Sequence, residues 1–103
     1  MQVVNKPLID LNKAAIKSGD VELTVAVVLV NCALAPTGNG QQRSPKDIAD
    51  RYELAIRLNS LKVDESFDIT PELMVSLKDD LCRVYATIVA GQMLPIMDGT
   101  VTH

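Results

Sequence analysis

The chain predicts a mainly α fold of the α+β kind. It has three principal helices, a short C-terminal helix and a minor N-terminal β-hairpin or extended arm. Three observations predict it. Ser44-Pro45-Lys46-Asp47 and Thr70-Pro71-Glu72 each combine a capping hydroxyl, a proline at the first helical position and a carboxylate in the first turn. Residues 25–35 are apolar except for Asn31, a run of helical rather than strand length. The composition is 48% hydrophobic with only Tyr52, Phe67 and Tyr85 as aromatics and no Trp, which suits an aliphatic core between helices better than a β-sandwich. At 103 residues a single domain is expected, with an arm at 1–23, a helical core at 24–98 and a frayed tail at 99–103.

In the arm, Ile9 and Leu11 alternate around Asp10, as in a short strand, and residues 14–17 form either its hairpin partner or a short helix. Pro7 and the lack of long alternation argue against a larger sheet. The run at 25–35 carries Val25, Val27, Val28 and Val30, yet a strand of that length would be about twice the usual 5–6 residues. It also falls short of the roughly 18–20 residues that span a bilayer. Thr24 as N-cap and Pro36 as stop make it a central buried helix, with Asn31 on one edge or paired through its amide.

Thr37-Gly38-Asn39-Gly40-Gln41-Gln42-Arg43 reads as a connector; it lacks both the spacing and the lysine of a phosphate-binding loop. The next helix, over 45–59, places Ile48, Tyr52, Ala55 and Ile56 on one stripe, with Leu54 and Leu58 as an adjacent apolar row. Lys46, Asp50, Arg51, Glu53 and Arg57 form its expected solvated face, and Asp47 with Arg51 and Glu53 with Arg57 stand at favourable i,i+4 spacing. A short strand is expected near 66–69. A helix over 71–90 then carries Leu73, Leu77, Leu81, Val84 and Ile88, with Lys78, Asp79, Asp80 and Arg83 opposite. Gly91 breaks or kinks it, and Pro95 opens a last short helix.

The net charge of −3 is uneven: residues 1–43 hold four Lys/Arg against three Asp/Glu (+1), and residues 44–103 hold six against ten (−4). An acidic half without a basic run disfavours nucleic acid. Cys32 and Cys82 lack CxxC spacing and are expected as buried reduced thiols in a cytoplasmic protein, since no secretory signal opens the chain. Asp79 and Asp80 point about 100° apart on a helix and do not converge. The sole histidine, His103, is terminal, which leaves no positioned imidazole for general-base work and no zinc set. No catalytic residue, cofactor, metal or small-molecule ligand is therefore expected, and no membrane span.

The apolar run, the double-rowed second helix and the Met/Leu/Ile segment at 93–97 offer more apolar surface than a small monomer readily hides. Val28, Leu54, Leu58, Met93 and Met97 are accordingly the candidate interaction residues, for a protein partner or a homodimer. The alternative use of the two methionines is to close the core.

The spacing of ELT-x3-VLVNCALA, a glycine-containing polar loop, RYELAIRL and LKDDLCRVYATIVAGQ resembles that of small uncharacterised bacteriophage and prophage proteins of about this length, over roughly residues 20–97. The resemblance implies a mainly helical fold with a small β element, a phage or mobile-element origin, and no catalytic residues to carry over. The expected function is a non-enzymatic accessory protein acting by protein–protein contact, either a virion assembly helper or an inhibitor of a host protein. A nucleic-acid-associated regulator using the helices at 45–59 and 71–90, and an enzyme without an internal histidine, are the alternatives.

Overall fold

In the computed structural model, which describes residues 2–35 and 43–97, the elements run β1 (Gln2–Val4), β2 (Lys17–Ser18), β3 (Val21–Glu22), α1 (Val25–Leu34), α2 (Pro45–Asn59), β4 (Ser66–Asp68), α3 (Pro71–Val84) and α4 (Thr87–Met97). The mainly α architecture with a small β contribution is the one the sequence predicts. The connector at 37–42, Pro36 and the tail with His103 lie outside the described residues. Among the described residues, no helix is long and apolar enough to cross a membrane.

The valine-rich run is the central helix. Val25, Val28, Leu29 and Cys32 of α1 are fully buried, and α1 packs against both α2 and α3. A helix sunk in a core must have its end groups satisfied by the protein, because water cannot reach them. Thr24 Oγ1 accepts from the Val27 amide at 3.2 Å, as the capping pattern predicts. The two preceding amides are satisfied by the arm: Val25 N–H donates to the Lys6 carbonyl at 2.9 Å, and Ala26 N–H to Asn5 Oδ1 at 2.9 Å. Asn5 is itself buried, and its backbone bonds to Glu65 and Asp64, so one residue ties the arm, the α1 N-terminus and the α2–β4 connector. Asn31 sits on the exposed edge of α1 and donates to Tyr85 Oη at 2.7 Å.

The arm is a compact meander. β1 pairs antiparallel with β4 in the register Gln2↔Asp68, Val3↔Phe67, Val4↔Ser66, placing Val3 and Phe67 in the core. Single bridges join Pro7 to Thr24 and Ile9 to Ala15, and β2 pairs with β3 across a turn where Gly19 holds φ 64, a left-handed backbone that glycine adopts without penalty. Asp10 Oδ1 accepts from the Asn12 and Ala14 amides and closes the loop at whose tip Leu11 is exposed. From α4, the Gln92 side chain behaves as a strand partner: its Oε1 accepts from Ile9 N–H at 3.1 Å while its Nε2 donates to the Ile9 carbonyl at 2.7 Å. Gln92→Ala is expected to speed amide exchange at Ile9 well beyond that at Leu29, with a global stability loss of about 1 kcal/mol or less, since these bonds are solvent-exposed. Unchanged exchange at Ile9 would show that the arm docks without this clamp.

Both proline-headed helices begin where predicted, with Ser44 Oγ accepting from the Asp47 amide at 3.1 Å and Thr70 Oγ1 from the Leu73 amide at 3.3 Å. Four expectations need correction. The last long helix ends at Val84 rather than continuing to 90: Tyr85 is extended (φ −116, ψ 150), held by Asn31 at its hydroxyl, and the Ala86 carbonyl starts α4 by accepting from Val89 and Ala90. Gly91 lies inside α4 and breaks nothing, and Pro95 is also within α4 rather than in an opening turn. Cys82 is exposed, and it and the buried Cys32 are both free thiols.

The residues singled out for interaction need correction too. Val28, Leu54, Leu58, Met93 and Met97 are all buried, each at most 2% exposed, and belong to one cluster with Leu29, Met74, Leu77 and Leu81. The two methionines close the core. The surplus apolar surface lies elsewhere.

Candidate functional site

Helix α2 buries Arg51, Leu54, Ala55 and Leu58, at spacings of three, one and three. The sequence stripe of Ile48, Tyr52, Ala55 and Ile56 therefore splits: Ala55 turns inward, while Ile48, Tyr52 and Ile56 are 56%, 62% and 58% exposed. Arg51, expected on the solvated face, is instead 4% exposed. The physical reason is a charge cluster that fixes the helix's rotation.

Asp80 of α3, also buried, receives Arg51 Nη1 at 2.6 Å and Arg43 Nη2 at 3.0 Å on Oδ2, and Arg83 Nη2 at 2.6 Å on Oδ1. Arg51 further donates from Nε to Asp47 at 3.1 Å, from Nη1 to the Cys32 carbonyl at 3.2 Å and from Nη2 to Ser76 Oγ. Arg43 Nη1 donates to the Ala35 carbonyl at 2.9 Å. The guanidinium fork thus serves two purposes at once. It neutralises a buried carboxylate, and it supplies donors to the C-terminal carbonyls of α1, where the helix dipole favours positive charge. Among the described residues, every buried side-chain nitrogen and oxygen has a partner. Burial pushes the Asp80 carboxyl up, but hydrogen bonds from Arg83, Arg51 and Arg43 more than offset it, leaving the group below its ordinary 3.8. Burial, reinforced by the Asp80 charge, pushes the Cys32 thiol up to about 12, so it is inert as a nucleophile near neutrality. Burial likewise raises the Tyr85 phenol, against the opposing hydrogen bond from Asn31.

This cluster is a structural brace between α1, α2 and α3, every polar arm of Arg51 being committed to the fold. The sequence spacing showed one of its links, Asp47 to Arg51, and took it for a surface pair. Asp80, expected to be solvated beside Asp79 and the nearby Arg83, is instead buried because its other two partners, Arg51 and Arg43, reach it from 29 and 37 residues away. A signal did exist: Arg51, Leu54, Ala55 and Leu58 share one helical face, so burying the leucines carries the arginine inward.

The exposed side of α2 presents the other candidate. Ile48, Tyr52 and Ile56 repeat at i, i+4 and i+8, an apolar row of two turns, about 12 Å long. Around the helix from that row, past the exposed Ala49, α2 forms one wall of an open cleft of about 810 Å3 whose other wall is β4 and the first turn of α3. The cleft is lined by five carboxylates, among them Glu53, Asp68 and Glu72, against two cations, Lys46 and Arg57. Lys46 lies 3.8 Å from Asp50, and Asp47 is committed to Arg51. Among the described residues no group of three or more His, Cys, Asp or Glu side chains is placed to hold a metal ion. No protein-family model, curated protein or solved structure matches the chain.

Proposed function

We propose that this chain is a small non-enzymatic accessory protein of the cytoplasm that works by protein–protein contact, and that the contact is made by the exposed face of α2. One observation carries this function: Ile48, Tyr52 and Ile56 form a regular apolar row, each more than half exposed, on a helix whose core-facing side is already filled by Arg51, Leu54, Ala55 and Leu58. Isolated exposed apolar residues are ordinary, but a helical row with a central tyrosine is the composition of a binding surface. A phage-type setting, implied by the spacing resemblance, would make the partner a virion component or a host protein. The cleft beside α2 is acid-lined, which argues against the alternative of a helix pair gripping a phosphate backbone.

The test is a photo-crosslinking amino acid placed at position 52 of the full chain, expressed in its native cell. A discrete adduct is expected from position 52, lost when Ile48→Ser and Ile56→Ser are added, and absent when the crosslinker stands at position 20 in the β2–β3 turn. No adduct from position 52, or equal adducts from both positions, would remove α2 as the contact surface.

A further inference from the structure

We infer that the partner seated on α2 is a cationic amphipathic segment of another protein, with an apolar row that covers Ile48, Tyr52 and Ile56 and a border of Lys/Arg that faces the cleft between α2 and the start of α3. This rests on the contact function proposed above and names its chemistry. Two observations meet on the same helix. The apolar row is exposed. With Asp47 neutralised by Arg51 and Arg43, the cleft adjoining it carries four carboxylates against two cations, an excess of two negative charges on one side of the row.

Charge decides among the possible occupants. The whole chain has a net charge of −3, so its long-range field and the cleft's local field have the same sign. A nucleic acid or an anionic lipid surface brought to α2 would meet that field with like charge. A second copy, packed face to face on Ile48, Tyr52 and Ile56 about a two-fold axis perpendicular to α2, would bring two acid-lined clefts to the same edge of one interface, where like charges repel. A segment with Lys/Arg on one flank gains where these others lose. Glu53 on α2 and Asp68 and Glu72 across the cleft, faced by the single cation Arg57, are the carboxylates left for it, because Asp47 is held by Arg51 and Asp50 lies beside Lys46. The apolar row supplies affinity, and the cleft supplies orientation and on-rate.

The probe is a short helical peptide of leucine and lysine with one apolar face, compared with its counterpart in which glutamate replaces every lysine. Binding to the full chain is read by fluorescence anisotropy at two salt concentrations. The lysine peptide is expected to bind more weakly as salt rises, and the glutamate peptide not to bind. Tyr52→Ser, and separately Glu53→Lys with Glu72→Lys, are each expected to weaken the lysine peptide at least about tenfold. Val75→Ser, at an exposed apolar position on α3, is expected to change nothing. Equal binding of both peptides, or lysine-peptide binding that survives Tyr52→Ser, overturns the inference. So does a dimer in sedimentation that Tyr52→Ser dissolves, since the occupant is then a second copy. An adduct from position 52 to a partner that lacks a basic amphipathic segment also ends this inference while leaving the contact function intact. Absence of any adduct removes both.

Discussion

Replacing Asp80 with alanine is expected to lower the unfolding free energy by about 3–5 kcal/mol, the usual cost of removing one partner from a buried ion pair. For a chain of 103 residues that is a large share of a total stability of about 5–15 kcal/mol. The loss comes from what Asp80 leaves behind. Arg51 is 4% exposed and cannot swing into water, because its other donors hold Cys32, Ser76 and Asp47. Deleting the carboxylate leaves Arg51 and Arg43 sharing the one carboxylate that remains, Asp47, at the C-terminus of α1. Arg83 offers the control. It bonds the same carboxylate, but its side chain is 40% exposed, so Arg83→Ala should cost no more than about 1 kcal/mol after solvent screening. The pH dependence has the sign of a depressed carboxyl. Asp80 titrates in the folded chain below its ordinary 3.8, so its stabilisation is fully present above that value and disappears as pH falls through the lower folded-state pKa. Urea unfolding of wild type and Asp80→Ala should therefore differ by a constant amount from neutrality down to about pH 5, and converge under stronger acid. A constant difference at all acid pH values would mean that the carboxylate's charge is not what braces the helices.

Helix starts were legible because their chemistry is local. Ser44-Pro45 and Thr70-Pro71 cap their own helices within three residues, and a reader of sequence sees both partners at once. Thr24 did the same for α1, and helix length decided against the strand that its valines suggested. What was not legible depends on distant partners. The last long helix stops at Val84, where Tyr85 turns extended and its hydroxyl accepts from Asn31, 54 residues away, and nothing in the local pattern of Leu81, Val84 and Ile88 signals a break. The rotation of α2 was ambiguous for a similar reason. Two apolar rows ran side by side, Ile48–Tyr52–Ile56 and Leu54–Leu58, and periodicity alone gives both an equal claim to the core. The row that won also carries an arginine, whose burial is tolerable only if Asp80 and the α1 carbonyls are there to receive it. An interaction surface sought among the most apolar residues was thus sought in the core. The surface proposed above is the row that lost.

That competition between two rows yields the second large effect. Leu54→Ala is expected to destabilise the fold by about 2–5 kcal/mol, because Leu54 is fully buried among α1 and α3 side chains and truncation leaves a cavity. Two residues earlier on the same helix, Tyr52→Ser should shift stability by no more than about 0.5 kcal/mol, although it removes the larger and more aromatic side chain. Periodicity alone does not separate these substitutions, since Tyr52 and Leu54 each sit in a regular apolar row. Urea midpoints of the two variants at neutral pH, with unchanged slopes, decide between the rotations. A Tyr52→Ser variant as unstable as Leu54→Ala would put the aromatic row back in the core, and the binding face would go with it. A stable, folded Tyr52→Ser variant that no longer forms its crosslinked or peptide complex separates recognition from folding on a single helix. The inner row then holds α2 to the molecule, and the outer row is free to hold something else.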